Sequence, residues 1–359
     1  MRHLRIVTMV AALATTAALA GPASRPVELG RIEWNRDFTA AQEEARKTGK
    51  PMMVLFDEVP GCSTCKQFGQ GPLSHPLVVD ASRLFVSACV YNNAKGADAD
   101  ILKRFKEPAW NNPVVRFLDA DGKDIIPRQD GGWTTPALVK RIVAALQGGK
   151  VETPEYLRLL NAELNPSARQ TATFVVGCYW TGEQKLGAVE GVIASRIGMM
   201  KGGEVVEVEF DPAVVDYAKL VEQVQGMKCA SRVYARSDEQ LDPARAIFGK
   251  AVERSDAKVD TRTQQQYNLM FKPAYHYLPL TSIQATRINS AVASRQDADR
   301  FLSPSQLALK TRIEKLLAAD GNLSARMRKQ LKPDRSAEGI IGYAAALDAF
   351  LDSAENAEP

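Results

Sequence analysis

The chain has 359 residues, room for two domains and an appendage at about 150 residues per domain. Apolar residues make up 45% and charged residues 25%, and 46 Lys plus Arg against 42 Asp plus Glu leave a net charge of +4, too small and too evenly spread for a nucleic-acid or anionic-surface binder. Three His exclude a His-rich metal centre and leave little for a Ser-His-Asp enzyme, whereas five Cys make sulfur the best-supplied reagent.

Arg2 and Arg5 precede an uncharged, mostly apolar run, Ile6–Ala20, and Ala18-Leu19-Ala20 before Gly21 is a small-x-small cleavage site. This is the design of a secretory signal peptide over residues 1–20. The run has 15 residues, short of the roughly 20 that span a bilayer, so the expectation is cleavage, a periplasmic or secreted product and no stable membrane insertion. Cleavage takes the net charge from +4 to +2 and leaves His75 and His276 as the only His. All five Cys stay, in a compartment that permits disulfides.

Residues 31–150 alternate helical and strand-like patterns. Asp37 caps a helix over Phe38–Thr48 that Gly49 ends. Pro51–Phe56 is a buried strand, Cys62–Phe68 opens a helix, Leu84–Val90 is a strand and Asp98–Phe105 a helix. Val114–Leu118 runs into the turn Asp119-Ala120-Asp121-Gly122, and Thr135–Gln147 is a closing helix. That order implies a layered α/β domain. Residues 150–168, with Pro154 and Pro166, read as a linker around a short helical stretch. A second unit over 168–295 opens with strand Thr171–Val176, helix Cys178–Ala188, strand Glu204–Phe210 and helix Asp216–Gln225, an order that suits a split ferredoxin-like α+β sheet. Residues 303–355 read as a helical tail that starts at Ser303-Pro304, is interrupted at Pro333, and packs on the second domain.

The first chemical site is Cys62-Ser63-Thr64-Cys65 at a helix start. Two intervening residues bring the sulfurs within bonding distance, and the helix N-terminus favours a thiolate at Cys62, which attacks disulfides while Cys65 resolves the product. A static disulfide and a metal-binding Cys pair are the other readings of the spacing. The Gly49-Lys50-Pro51 lead-in, the Cys pair and Asn112-Pro113 before a strand resemble the thioredoxin superfamily over residues 31–148. The resemblance implies a cis-proline at Pro113 beside the sulfurs, in contact with substrate. Asn112 departs from the family's apolar residue or Thr. Val59-Pro60-Gly61-Cys62 is similar to bacterial thioredoxin-like proteins that can carry selenocysteine at the Cys62 position.

The second site is Gly177-Cys178-Tyr179-Trp180, with Glu183 five residues after the cysteine. Cys178 stands where a strand gives way to a helix. Together with Gly191-Val192, Gly202–Pro212 and Asp216–Leu220, this resembles peptide-methionine sulfoxide reductase A over roughly 171–225. The resemblance implies that Cys178 attacks a sulfoxide, that Glu204 is the acid, and that Tyr179 and Trp180 form an apolar wall for the substrate's S-methyl group. Glu183 then supports the helix. The family's G-Y-x-G-G loop is contracted here to Ile197–Gly203, and its tyrosine and the His before the Glu are absent. Tyr267, Tyr275 and Tyr277 are candidates to replace the missing hydroxyl, and His276 to line the site. Reduction leaves Cys178 as a sulfenic acid, for which Cys229 is the candidate resolving thiol. Cys89 reads as core and His75 as structural.

The expected whole is a secreted thiol redox protein. Cys178 reduces methionine-S-sulfoxide, free or in proteins, and the Cys62/Cys65 dithiol relays electrons from an external thiol donor. No cofactor, metal or nucleic acid is called for. One alternative keeps the thiol-disulfide chemistry and makes the second domain a degenerate relative; another is a non-enzymatic metal-binding or redox-sensing protein.

Overall fold

The computed structural model describes residues 25–262 and 264–356, so the signal peptide expected over 1–20 lies outside the described residues. The first helix, α1 (Phe38–Thr48), follows its local code: the Asp37 side chain accepts from the Ala40 N–H, and Gly49 takes the left-handed conformation (φ 70°) that ends the helix. It leads into β1 (Met52–Asp57), buried along its whole length. Then come α2 (Ser63–Gln70), α3 (Pro76–Ser82), β2 (Val86–Tyr91), α4 (Ala97–Phe105), β3 (Val114–Leu118) and α5 (Thr135–Gly148).

The three strands form a sheet of order β2-β1-β3, with β1 parallel to β2 and antiparallel to β3. Alternation along β1 sends Met53 and Leu55 to one core, with Phe117 and Ile142, and Met52, Val54 and Phe56 to another, with Phe38 and Leu102. A strand covered on both faces has no polar alternation, which is why Met52–Phe56 is continuously apolar and why a lone acid at its end, Asp57, is conspicuous.

Residues 150–168 do not form a bare linker. They carry α6 (Glu155–Leu164), whose Tyr156, Leu157 and Leu160 join the first core while Leu159 joins a different cluster made by the tail. Pro154 stands at the N-cap of α6, so the proline that suggests a linker is a helix-starting residue.

The second sheet comprises β4 (Gln170–Val176), β5 (Val192–Met200), β6 (Gly203–Phe210), β7 (Ala230–Ala235), β8 (Val252–Arg254) and β9 (Asp260–Thr261) in the order β8-β7-β4-β6-β5-β9. Between them run α7 (Tyr179–Leu186), α8 (Tyr217–Gly226) and α9 (Leu241–Phe248). Ala172, Phe174 and Val176 of β4 and Val206, Val208 and Phe210 of β6 face the helices in one core, with Leu220 and Val224 of α8. The segment Ile197–Gly203, read as a contracted loop, is the tip of a β5–β6 hairpin, turned by Lys201 (φ 49°) and Gly202 (φ 78°) between paired Met200 and Gly203. Two successive positive φ values match the twist of antiparallel strands, so the hairpin closes in two residues.

The chain then forms α10 (Tyr267–Met270), α11 (Pro273–His276) and α12 (Ser282–Ala293), and the tail is α13 (Pro304–Ala319), α14 (Leu323–Gln330) and α15 (Gly339–Asn356). A capping box at Ser303 and Gln306 starts α13. Ile313, Met327, Tyr343, Leu347 and Leu351 of the tail pack with Leu269, Leu280 and Ile288. The tail also reaches the first unit, where the Ser305 hydroxyl donates to Asp80 at 2.5 Å. No helix among the described residues is long and apolar enough to cross a membrane.

Candidate active sites

The first site sits where β1 gives way to α2. Cys62 is the N-cap of α2 and is exposed; Cys65, one turn in, is fully buried. The two Sγ atoms are 3.0 Å apart, and the Cys65 N–H donates to Cys62 Sγ at 3.5 Å. The hydrogen bond from the Cys65 thiol, with that from its backbone, pulls the Cys62 pKa below the usual thiol range. Burial, then the hydrogen bond to Cys62, pushes the Cys65 thiol far up. One sulfur is therefore the reactive thiolate and the other a held proton, which is the asymmetry disulfide exchange needs.

The approach to Cys62 is tight. A Cβ on Gly61 would lie 2.1 Å from the Glu58 carbonyl oxygen and 2.7 Å from Cys65 Cβ, so only glycine lets the loop pass over the buried thiol. The Gly61 N–H donates to the buried Glu28 carboxylate at 2.8 Å. The Asn112–Pro113 bond is cis, and Pro113 accepts from Trp133 Nε1 at 2.8 Å. Asn112, the departure noted in the sequence, places Oδ1 3.0 Å from Cys65 Sγ, an alternative acceptor for the single proton that the Cys65 thiol otherwise gives to Cys62. Asp57 lies fully buried beside Cys65; among the described residues its Oδ2 has no partner, and desolvation raises its pKa from 3.8 to about 7 despite a hydrogen bond with Cys65. Sequence reasoning missed Asp57; its signal was the isolated charge ending an apolar run. Glu58, Cys62 and Cys65 bring ligand atoms within 4.8 Å of one another, a three-donor set that suits a soft metal better than a hard one.

The second site is assembled by sheet topology. β6 and β7 both run antiparallel to β4 and flank it, so their starts meet its end. Val175 pairs with Val205 on one side and Val176 with Ala230 on the other. Three residues expected to act together thus come to one end of the sheet: Cys178 just beyond β4, Glu204 at the start of β6 and Cys229 just before β7. Cys178 lies two residues past Val176 and Cys229 one residue before its partner Ala230, on neighbouring strands about 5 Å apart.

Cys178 is the half-buried N-cap of α7, and its carbonyl accepts the first helical bond, from the Gly182 N–H at 2.9 Å. Its side chain leaves the first N–H groups unmet, and the Glu204 carboxylate meets one of them, accepting from the Tyr179 N–H at 2.7 Å. Glu204 is thereby bonded to the peptide next to the sulfur. Tyr179 and Trp180 meet edge-on at 5.3 Å between centroids, and Tyr267 stacks on Trp180 at 4.2 Å, with Phe271 edge-on to Tyr267 at 4.7 Å. Of the tyrosines weighed, Tyr267 is brought to this wall. The Tyr275 hydroxyl donates to Asp299 at 2.6 Å, and Tyr277 is buried in the tail cluster. His276 packs edge-on against Tyr277, and burial lowers its pKa to about 4.

Glu183 is buried in α7, three residues after Trp180, and desolvation raises its pKa to about 7. Its carboxylate accepts from Ser195 Oγ at 3.2 Å and from the Gln266 N–H at 2.9 Å. Burial raises the Cys229 thiol, opposed by the charge of Lys185, whose ammonium donates to the Met227 carbonyl at 2.7 Å. Cys89 is buried in β2, and His75 is fully buried, with neither ring nitrogen bonded to any of the described residues.

Residues 33–120 match a family model described as thioredoxin-like. The chain is also similar to peptide methionine sulfoxide reductases: 27% identical over 124 residues to that of Methanothermobacter thermautotrophicus, covering 30% of this chain and 73% of the relative. It is 29% identical over 147 residues to that of Rhodospirillum centenum (31% of this chain, 67% of the relative). Against that of Drosophila melanogaster it is 31% identical over 133 residues (30% and 54%). The chain is an oxidoreductase. It joins a thioredoxin-like α/β domain to a domain like those reductases and adds a helical tail.

Proposed function

We propose that the chain reduces methionine-S-sulfoxide at Cys178 and passes the resulting oxidation to the Cys62/Cys65 pair, acting in the periplasm or outside the cell. The reading is carried by Glu204 bonded to the Tyr179 N–H beside Cys178 under the Tyr179–Trp180–Tyr267 wall. The wall takes the S-methyl group. The Cys178 thiolate attacks the sulfoxide sulfur while Glu204 protonates the sulfoxide oxygen; the oxygen passes to Cys178 as a sulfenic acid, and the thioether of methionine is released. The Cys229 thiol then attacks the sulfenic sulfur, expelling water and forming a Cys178–Cys229 disulfide. Cys62 thiolate opens that disulfide, and Cys65 resolves the mixed disulfide, leaving Cys62–Cys65 oxidised and the second site reduced. An external dithiol restores the pair. Tethering both sites on one chain raises the effective concentration of reductant.

The test is incubation with methionine sulfoxide and dithiothreitol. Methionine should accumulate, Cys178→Ser should abolish it, and Cys62→Ser should spare it under dithiothreitol but not with a protein dithiol donor. Unchanged sulfoxide with an intact fold would leave the chain a thiol-disulfide oxidoreductase acting through Cys62 and Cys65 alone.

A further inference from the structure

We infer that the C-terminal helical segment completes the Cys178 site: Arg335, on the connection between α14 and α15, holds the Gln266–Tyr267 turn where Tyr267 stacks on Trp180. Gln266 is buried and left-handed (φ 53°, ψ 53°), a conformation a side-chain-bearing residue keeps only when its surroundings hold it. It has two tethers. Its backbone N–H donates to Glu183 of α7 at 2.9 Å, and its side-chain Oε1 accepts from Arg335 Nη1. The first ties the turn to the helix that carries Trp180; the second ties it to the tail.

Arg335 is itself fixed by distant parts of the chain. Its carbonyl accepts from Ser282 Oγ of α12 at 3.5 Å, and the Tyr343 hydroxyl of α15 donates to the Tyr277 carbonyl at 2.7 Å, seating the tail over the segment that follows α10. Among the described residues, Nε and Nη2 of its guanidinium are buried without a partner. A guanidinium kept in such a place against two unmet donors makes its one bond to this turn, to Gln266. Without Arg335 the turn loses its bond to the tail and rests on Glu183, on Gln265 bonded to the Ile197 N–H and carbonyl at 2.9 and 2.8 Å, and on the Leu269 N–H donating to Asn289 at 3.0 Å, so the Gln266 side chain is released and the Tyr267 ring is less closely fixed on Trp180. Arg335 is thus a positioning residue. The substrate-wall role of Tyr267 rests on the sulfoxide-reductase reading; its placement by Arg335 does not.

The test uses the full chain. The near-ultraviolet circular-dichroism difference between wild type and Tyr267→Leu gives the signature of the stacked pair. Arg335→Met should lose that signature and raise KM for methionine sulfoxide about tenfold, with kcat held within about threefold, because a binding wall is loosened and no proton donor is touched. Arg335→Lys should restore part of both. Arg335→Met combined with Tyr267→Leu should be no worse than Tyr267→Leu alone, since both act on one contact. Should Arg335→Met fail to fold, Gln266→Asn replaces it: asparagine tolerates the left-handed turn but is one methylene too short to reach the guanidinium, and should lose the same signature. Retention of the signature and of KM in a folded variant, or multiplicative losses in the double variant, would overturn the inference. An inactive wild type would sink the reductase reading while the spectroscopic arm still decides the role of Arg335.

Discussion

Asp57 offers the sharpest test of the first site. It is fully buried, Oδ2 has no partner among the described residues, and its pKa stands at about 7 against an ordinary 3.8. The perturbation is Asp57→Asn in the reduced protein. The folded chain holds its proton between pH 4 and 7, where the unfolded chain has released it. Stability therefore falls as pH rises through that window, and above pH 7 the full penalty of a buried carboxylate remains. A displacement of roughly three pH units corresponds to about 4 kcal/mol at most, and about half that if water reaches the ionised group. Asparagine does not titrate. Its amide nitrogen takes the place of an unpartnered oxygen and adds a cost of about 1–3 kcal/mol that does not change with pH. The diagnostic is therefore the slope and not the level.

The assay is urea unfolding of reduced protein at pH 4.5, 6 and 8 in a Trp180→Phe background, so that fluorescence comes from Trp34, Trp110 and Trp133 of the first unit. The wild type should lose 2–4 kcal/mol relative to the variant, as an order-of-magnitude span, between the lowest and highest pH. His75 acts in the opposite sense, because its folded pKa of about 4 makes stability rise with pH up to its ordinary 6.5. Both proteins carry His75, so the difference between them cancels it. Parallel pH profiles for wild type and variant would refute the reasoning and mean that Asp57 is solvated in solution.

Three more outcomes follow from the geometry. Glu204→Gln keeps an acceptor for the Tyr179 N–H, now 2.7 Å away, but cannot give up a proton, so sulfoxide turnover should drop about 10²–10⁴-fold with the melting temperature nearly unchanged; turnover within a few-fold of wild type would remove Glu204 as the acid. Gly61→Ala must displace a backbone whose Glu58 carbonyl would stand 2.1 Å from the new Cβ, and should cost about 1–3 kcal/mol and slow Cys62–Cys65 disulfide formation in stopped-flow oxidation. After one equivalent of methionine sulfoxide, peptide mapping of the Cys62→Ser protein should find a Cys178–Cys229 disulfide, and Cys229→Ser should instead accumulate a sulfenic acid trapped by dimedone. A Cys178–Cys89 link would show that the local fold opens far more than the strand register implies.

How much of this was legible in the sequence depended on how local its cause was. Helix Phe38–Thr48 carries its own start and stop in Asp37 and Gly49, and strand Val114–Leu118 sits between a proline and an Asp-rich turn. Both came out with those bounds. The Cys62 and Cys178 motifs were legible because each spans one strand-to-helix junction. Ile197–Gly203 was not. Gly198 has poor strand propensity, and it is in a strand because β9 lies against it, with the Asp260 carbonyl oxygen 2.3 Å from where a Cβ would be. Residues 150–168 carry the short helix that was read there, but its packing was not legible, since the surfaces that cover Leu157 and Leu159 come from both sides of the chain.

The tail shows the same limit most strongly, and it changes how the second site is built. Read alone, residues 303–355 hold no reactive group, so an appendage was the natural inference. Arg335 lies 69 residues from Gln266, and no local pattern links them. Yet the turn that Arg335 helps to hold brings Tyr267 onto Trp180 beside Cys178, so a residue of the tail acts on the aromatic wall from a distance. If the brace acts on that wall, Arg335 should matter more for binding than for stability, unlike the tail's core: Leu347→Ala should cost about 2–5 kcal/mol, whereas Arg335→Met should leave the melting temperature close to wild type and still lose substrate affinity. Equal losses of affinity and stability in both variants would mean that the tail is ordinary core.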